Sequence, residues 1–216
     1  MYLPPHFRED DVSVLHQAIR AARLATLVTF GADGLTASHL PVLLSPEPEP
    51  FGTLTGHLSR ANPQWQSFSG GVQALAIVLG PDAYVTPSWY ATKRETGKVV
   101  PTWNYVAVHA YGTLRTFDDP KQLLELVTRL TSIHEGTRTE PWAFEDAPPD
   151  FIQSQLKGIV GLELPIERLE GKWKMSQNRP AQDCAGVVDG LDREGGLLEA
   201  AVARLVAERN PEAGRS

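Results

Sequence analysis

Near the start of the chain, a four-residue turn sets the fold class. Gly31-Ala32-Asp33-Gly34 separates residues 25–30, rich in Thr, Val and Leu, from the strand-like residues 35–44, and the pair reads as a β-hairpin. A tight turn of this kind joins strands antiparallel, so the sheet it starts does not need the crossover helices of a parallel fold. Ahead of it, Asp10 and Asp11 can cap a helix whose Val14, Leu15, Ala18, Ile19 and Ala22 share one face. The apolar period therefore changes from helical to strand-like near residue 25.

Short elements follow. Residues 45–50 alternate Pro and Glu and read as a surface loop, because proline cannot donate to a ladder. Residues 51–57 read as a third strand. Asn62-Pro63 starts a short helix over 63–68, since Asn caps well and Pro fits a first helical turn. Further strands are expected at 73–79, at 83–86, within 99–105 and at 107–116. Asp118-Asp119-Pro120 opens a long helix carrying Leu123, Leu124, Val127, Leu130 and Ile133. After a loop over 135–149 come a helix near 150–156 and a last barrel strand at 158–164. A closing amphipathic helix over 197–208 would use Leu197, Leu198, Ala201, Val202 and Leu205. With 18 Gly and 17 Pro in 216 residues, the composition disfavours a pure helical bundle. The pattern is mainly β with added helices, a β-barrel in one domain over 1–190 with a C-terminal helix and tail at 191–216.

Several functions are ruled out or disfavoured. Cys184 is the only cysteine, which excludes an internal disulfide and a multi-cysteine metal cage; no metal site is expected. A net charge of -6 opposes broad attraction to DNA or to an anionic membrane. The polar start is no signal peptide, and the most apolar run, 72–79, is far too short to span a bilayer, so a cytoplasmic protein is expected. His134-Glu135 lacks the second His of a zinc-protease helix, and no Gly-rich phosphate loop or glycine-flanked Ser elbow is present. Asp183 beside Cys184 would raise the pKa of its thiol, against a reactive role.

Three clusters carry candidate chemistry. In Gly56-His57-Leu58-Ser59-Arg60-Ala61-Asn62-Pro63-Gln64-Trp65, a strand meets a helix start, and backbone N–H groups, the Ser59 hydroxyl and the Arg60 fork suit a phosphate. The same residues also make a plain helix cap with a solvated Arg60 and a packed His57. In Pro101-Thr102-Trp103-Asn104-Tyr105, together with Pro87-Ser88-Trp89-Tyr90, aromatics could wall a planar ligand or simply fill a core. Gly171-Lys172-Trp173-Lys174-Met175-Ser176-Gln177-Asn178-Arg179 is locally basic, with Lys172 and Lys174 on one face of a strand. It reads as a solvated edge strand, a small nucleic-acid patch or a reach toward a phosphorylated ligand.

These blocks, with Met1-Tyr2-Leu3-Pro4-Pro5-His6-Phe7, Lys98-Val99-Val100 and Gly158-Ile159-Val160-Gly161, resemble the PaiB family, the FMN-binding negative transcriptional regulators. The resemblance runs in order from residue 1 to about 190. It implies a six-stranded antiparallel split β-barrel of Greek-key type, related to pyridoxamine phosphate oxidases. It also implies a homodimer with FMN in clefts between subunits. On that resemblance His57, Leu58, Ser59, Arg60 and Asn62 fall at the phosphate-binding place, and Ser38, His39, Leu40 and Pro41 run beside the ring and ribityl chain. Trp103 and Asn104 come from a later strand, and Lys174, Gln177 and Arg179 from near the partner's site.

Oxidases of this kind often follow the first cation with a second; here Ala61-Asn62 follows Arg60, so another cation, Lys93, Lys174 or Arg179, is expected within reach. The implied function is a flavoprotein repressor. The alternative is a flavin-dependent oxidoreductase acting on a small molecule, for which His57, Tyr90, Tyr105 and His109 are candidate proton donors. Flavin or haem carriage by His39, His57 or His109 is a third reading. DNA stays open as a partner, but no helix-turn-helix with a basic recognition helix supports direct contact.

Overall fold

The computed structural model describes residues 1–213 other than 23, 33 and 69. The expected turn at 31–34 thus includes one position, Asp33, outside the described residues, as are residues 214–216 of the expected tail. The chain divides into two compact units. A barrel unit comprises Val12–Val78 and His109–Leu169; a terminal unit comprises Met1–Asp11, Leu79–Val108 and Glu170–Ser216.

In the barrel unit, helix α1 (Val12–Ala22) buries Leu15, His16 and Ile19, and His16 Nε2 meets the Phe51 carbonyl at 2.9 Å. The predicted hairpin forms from β2 (Leu24–Gly31) and β3 (Gly34–Ser45), in register from Leu24↔Pro41 to Gly31↔Gly34. Strands β4 (Thr53–Ser59), β5 (Val72–Val85), β6 (Thr102–Phe117) and β7 (Ile159–Pro165) complete an antiparallel set. Its order is β6-β5-β2-β3-β4-β7, and pairing of β6 with β7 closes a six-stranded ring. Period-2 alternation turns Ala25, Leu27, Leu40, Leu54, Ala76, Leu114, Leu162 and Leu164 inward around a small apolar cavity. This is the expected split barrel.

Helix α3 (Pro120–Glu135) is capped by Asp119, whose carboxylate accepts from the Lys121 and Gln122 N–H groups. Its Leu126 and Leu130 pack with Leu43 and Phe117 of the strands. The helical face differs from the sequence reading: Leu123, Leu126 and Leu130 are buried, whereas Leu124 and Ile133 are exposed. Helix α4 (Pro149–Lys157) leads into β7.

The terminal unit holds β1 (Arg8–Glu9), β8 (Arg168–Lys174, from residue 170) and the outer halves of β6 and β5, in the order β1-β8-β6-β5. Helices α2 (Ala91–Thr96), α5 (Ala181–Glu194) and α6 (Leu197–Arg209) complete it.

Four expectations are corrected here. The strands expected at 73–79 and 83–86 are one strand, β5: Gly80 and Pro81 do not break it, and the Val106 side chain lies 2.8 Å from where a Cβ on Gly80 would stand. Likewise β6 is continuous through Val106. Helix α5 has no counterpart in the sequence reading, because Gly186 and Gly190 lower its propensity. In α6 the buried residues are Val202, Ala203 and Val206, while Leu197 and Leu198 are 94% and 54% exposed. Among the described residues, no helix is long and apolar enough to cross a membrane.

Candidate functional site

In the barrel unit, the register of the hairpin sets Thr26 opposite His39, and Thr26 Oγ1 lies 2.9 Å from His39 Nδ1 on an exposed face. Alternation along β3 separates the predicted Ser38–Pro41 residues. His39 is exposed, whereas Leu40 is buried at the barrel interior and Ser38 is part-buried. The same holds on β4, where Leu58 is core and Ser59 exposed. Leu40 and Leu58 therefore shape the barrel and could reach a ligand only through their main chain.

Ser38 joins two separated sequence blocks. Its hydroxyl donates to Gln64 Oε1 at 2.6 Å and accepts from Asn62 Nδ2 at 2.9 Å. Gln64 in turn is 4% exposed and donates through Nε2 to Thr29 Oγ1 at 2.9 Å and to the Thr36 carbonyl at 3.2 Å. The residues after β4 are thereby tied to the β2–β3 hairpin. Thr26 and Gln64 were missed from the sequence, although counting back from the hairpin turn pairs position 26 with 39.

The expected helix over 63–68 is a single 3-10 stretch, Pro63–Phe68. Asn62 caps it as expected, its Oδ1 accepting the Gln64 N–H at 3.0 Å, so that backbone donor is spent within the turn. An anion held here would rest on side chains. Arg60 is anchored: its Nε and Nη2 donate to the Lys157 and Ile159 carbonyls at 3.1 Å each, and its N–H donates to the Gly158 carbonyl at 2.8 Å. Its guanidinium also lies 5.8 Å from the Trp65 ring. Nη1 keeps both N–H donors; the exposed Ser59 hydroxyl accepts from the Ala61 N–H at 3.3 Å.

His57 forms one cross-strand row with Gly161 and Phe117. Phe117 ring atoms stand 2.3 Å from where a Cβ on Gly161 would be, so only glycine admits that ring. Among the described residues His57 Nδ1 is buried without a hydrogen-bond partner, and burial pushes the imidazole pKa down, favouring the neutral ring. Cys184, in the terminal unit, is inert for a related reason: burial, then the Asp183 carboxylate, push its thiol pKa up.

The remaining predicted residues lie in the terminal unit. Trp103 is 54% exposed and meets Tyr84 edge-on at 5.9 Å. Asn104 is fully buried, and its amide exchanges two hydrogen bonds with the Ser176 hydroxyl. Gln177 accepts from the Met175 N–H at 2.7 Å and donates to the Trp173 carbonyl at 2.6 Å, closing the turn after β8. Ser176 in that turn has φ +64°. Asn104 and Gln177 thus build the framework. Arg179 covers the Tyr90 ring at 4.7 Å. Lys174 Nζ donates to Thr102 Oγ1 and to the Trp103 carbonyl. Burial, then the charges of Lys172 and Arg179, hold its pKa below the ordinary lysine value. Lys172 is 8% exposed and is not the solvated edge residue the sequence suggests: β1 pairs with β8 there, and Lys172 Nζ donates to the Tyr2 carbonyl at 3.1 Å.

Residues 1–168 match the family described as "Putative FMN-binding domain". The protease synthase and sporulation protein PAI 2 of Bacillus subtilis is 32% identical over 194 residues, covering 90% of each chain. Among solved structures, a conserved hypothetical protein of Mycobacterium tuberculosis superposes with a TM-score of 0.58 at 12% identity, over 83% of this chain and 94% of that one. An FAD and heme binding protein of Mycobacterium smegmatis gives 0.57 at 16% identity, over 88% and 80%. These two likenesses concern the fold.

Proposed function

Because the chain belongs to this family of FMN-binding domains, we propose that it is a homodimeric FMN-binding regulator of the PaiB type that lowers expression of its target genes. One observation carries the cofactor half of this reading. The 2.9 Å bond from Asn62 to Ser38 brings the His39 block and the Ser59–Arg60 block, some twenty residues apart in sequence, to one end of the barrel. The donor set there fits a flavin phosphate in kind: a guanidinium with a free edge and an exposed hydroxyl. Anchoring of Arg60 on two carbonyls fixes the direction of that free edge, so little side-chain entropy would be lost on binding. His39 and Thr26 supply exposed polar groups on the adjoining strands for hydroxyls or ring edges. FMN, when bound, supplies redox chemistry; the residues named here bind and orient it.

The repressor half draws support from the 32% identity to PAI 2. A net charge of -6 and the burial of Lys172 disfavour a broad DNA-binding face, so repression through a protein partner fits better than direct operator contact. The deciding experiment is an FMN titration of the purified protein, read by flavin fluorescence and visible absorption, with Arg60→Met alongside. Saturable uptake that weakens about tenfold or more in the variant supports the cofactor seat. No uptake at micromolar FMN would overturn it. Bleaching by reduced pyridine nucleotide with turnover of an acceptor would replace the regulator with the flavin-dependent oxidoreductase.

A further inference from the structure

In the barrel unit, the residue after β4, the start of α3 and the end of α4 line a groove of about 290 Å³. Two cations line it, Arg60 and Lys157. The Arg60 guanidinium cannot swing away, because Nε and Nη2 donate to the Lys157 and Ile159 carbonyls at 3.1 Å each. Three of its five N–H donors remain, two on Nη1 and one on Nη2. A carboxylate approaching end-on takes one bond from each nitrogen. Among the described residues, no acid forms an ion pair with Arg60 or Lys157.

The rest of the lining narrows the ligand. Asp118 is the one acid among the lining residues, so two cations against one carboxylate leave a single positive charge. That balance suits a monoanion better than a dicarboxylate. Leu123 and Leu156, both buried, offer apolar contact for a short chain. The volume lies at the lower end of the range for small-molecule pockets, which fits a compact acid.

We propose that this groove is a site for a short aliphatic monocarboxylate, its carboxylate on the free fork of Arg60 beside Lys157 and its chain on Leu123 and Leu156. Such an acid takes the same guanidinium edge as the flavin phosphate, so the two ligands exclude one another, and a rise in the acid releases the flavin. The antagonism rests on the flavin reading of Arg60; occupancy of the groove by the acid does not.

The test is titration of the full chain with sodium valerate at constant ionic strength, read by ligand-observed NMR and by thermal shift. Acetate, valeramide and glutarate serve as comparisons. Valerate should bind about ten- to fiftyfold more tightly than acetate, because its additional methylenes leave water. Valeramide, which lacks the charge, should not compete. Arg60→Met should weaken valerate about tenfold or more, by loss of the charge-assisted pair. Lys157→Met, at an exposed and screened position, should weaken it about two- to fivefold. Asp118→Asn should narrow the preference for valerate over glutarate, a change that a purely structural role would not produce. If Arg60→Met fails to fold, the chain-length series and Lys157→Met still decide. No valerate binding to the wild type, or binding indifferent to chain length and to Lys157, overturns the proposal. Saturating valerate should also raise the apparent Kd for FMN; an FMN titration unmoved by bound valerate overturns the shared use of Arg60. Valerate binding retained with no FMN uptake at all would refute the flavin seat and leave the groove standing.

Discussion

Replacing Gln64 by leucine tests the link between barrel packing and the candidate site. Gln64 is 4% exposed, and its amide bonds Ser38 at 2.6 Å, Thr29 at 2.9 Å and the Thr36 carbonyl at 3.2 Å; a fourth contact, to the Leu27 carbonyl at 3.4 Å, is too long to count for much. Leucine keeps the volume and removes all of these. At about 0.5–1.5 kcal/mol net per bond, three lost bonds cost about 2–4 kcal/mol. The Thr29 hydroxyl, 3% exposed, would lose the Gln64 donor, which places the cost toward the upper end. For a chain of this length, that corresponds to a fall of about 5–15 °C in the midpoint of thermal unfolding. Circular dichroism through the transition measures it. The double variant Gln64→Leu/Thr29→Val should recover part of the loss, because it removes the stranded hydroxyl with its partner. FMN affinity should also fall, since Ser38 loses the acceptor that orients its hydroxyl toward Asn62. A midpoint within about 1 °C of wild type would refute the reasoning, because it would mean that the amide network contributes nothing net.

Two further outcomes follow from the packing. Gly190→Ala places a methyl 2.2–2.6 Å from the Trp89 indole carbons, and should destabilise the terminal unit by about 1–3 kcal/mol or more; near-ultraviolet dichroism checks it, and Trp89→Leu in the same chain should relieve it. His57 has a folded pKa depressed by burial below its ordinary 6.5, so between the two values the unfolded chain binds a proton that the folded chain does not. Stability should therefore decline as pH falls through about 6.5 and level off below the folded pKa. The His57→Gln profile between pH 7 and 5 should be flatter than that of wild type.

The β2–β3 hairpin, α1, the Asp119 cap and the Asn62 cap were legible in the sequence because each depends on neighbours within a few residues. The shared strand face of Lys172 and Lys174 was legible for the same reason. Local pattern failed where distant contacts decide. Gly80 and Pro81 read as a break, yet β5 runs through them, and Gly80 stands where Val106 leaves no room for a side chain. Helix α5 was missed because Gly186 and Gly190 look like helix breakers until Trp89 is seen against them: its main-chain carbonyl sits where a Cβ on Gly186 would, and its ring where one on Gly190 would.

The candidate site divides along the same line. Residue types raise the expectation of a phosphate, but only the folded chain shows Arg60 anchored on Lys157 and Ile159, Asn104 and Gln177 occupied within their own unit, and Lys172 buried with no acid bonded to it among the described residues. Hydrogen-bond capacity is a property of a residue. How much of it is left over for a ligand depends on partners about a hundred residues away, in Arg60's case, and those partners are set by strand order and register, which no local window contains.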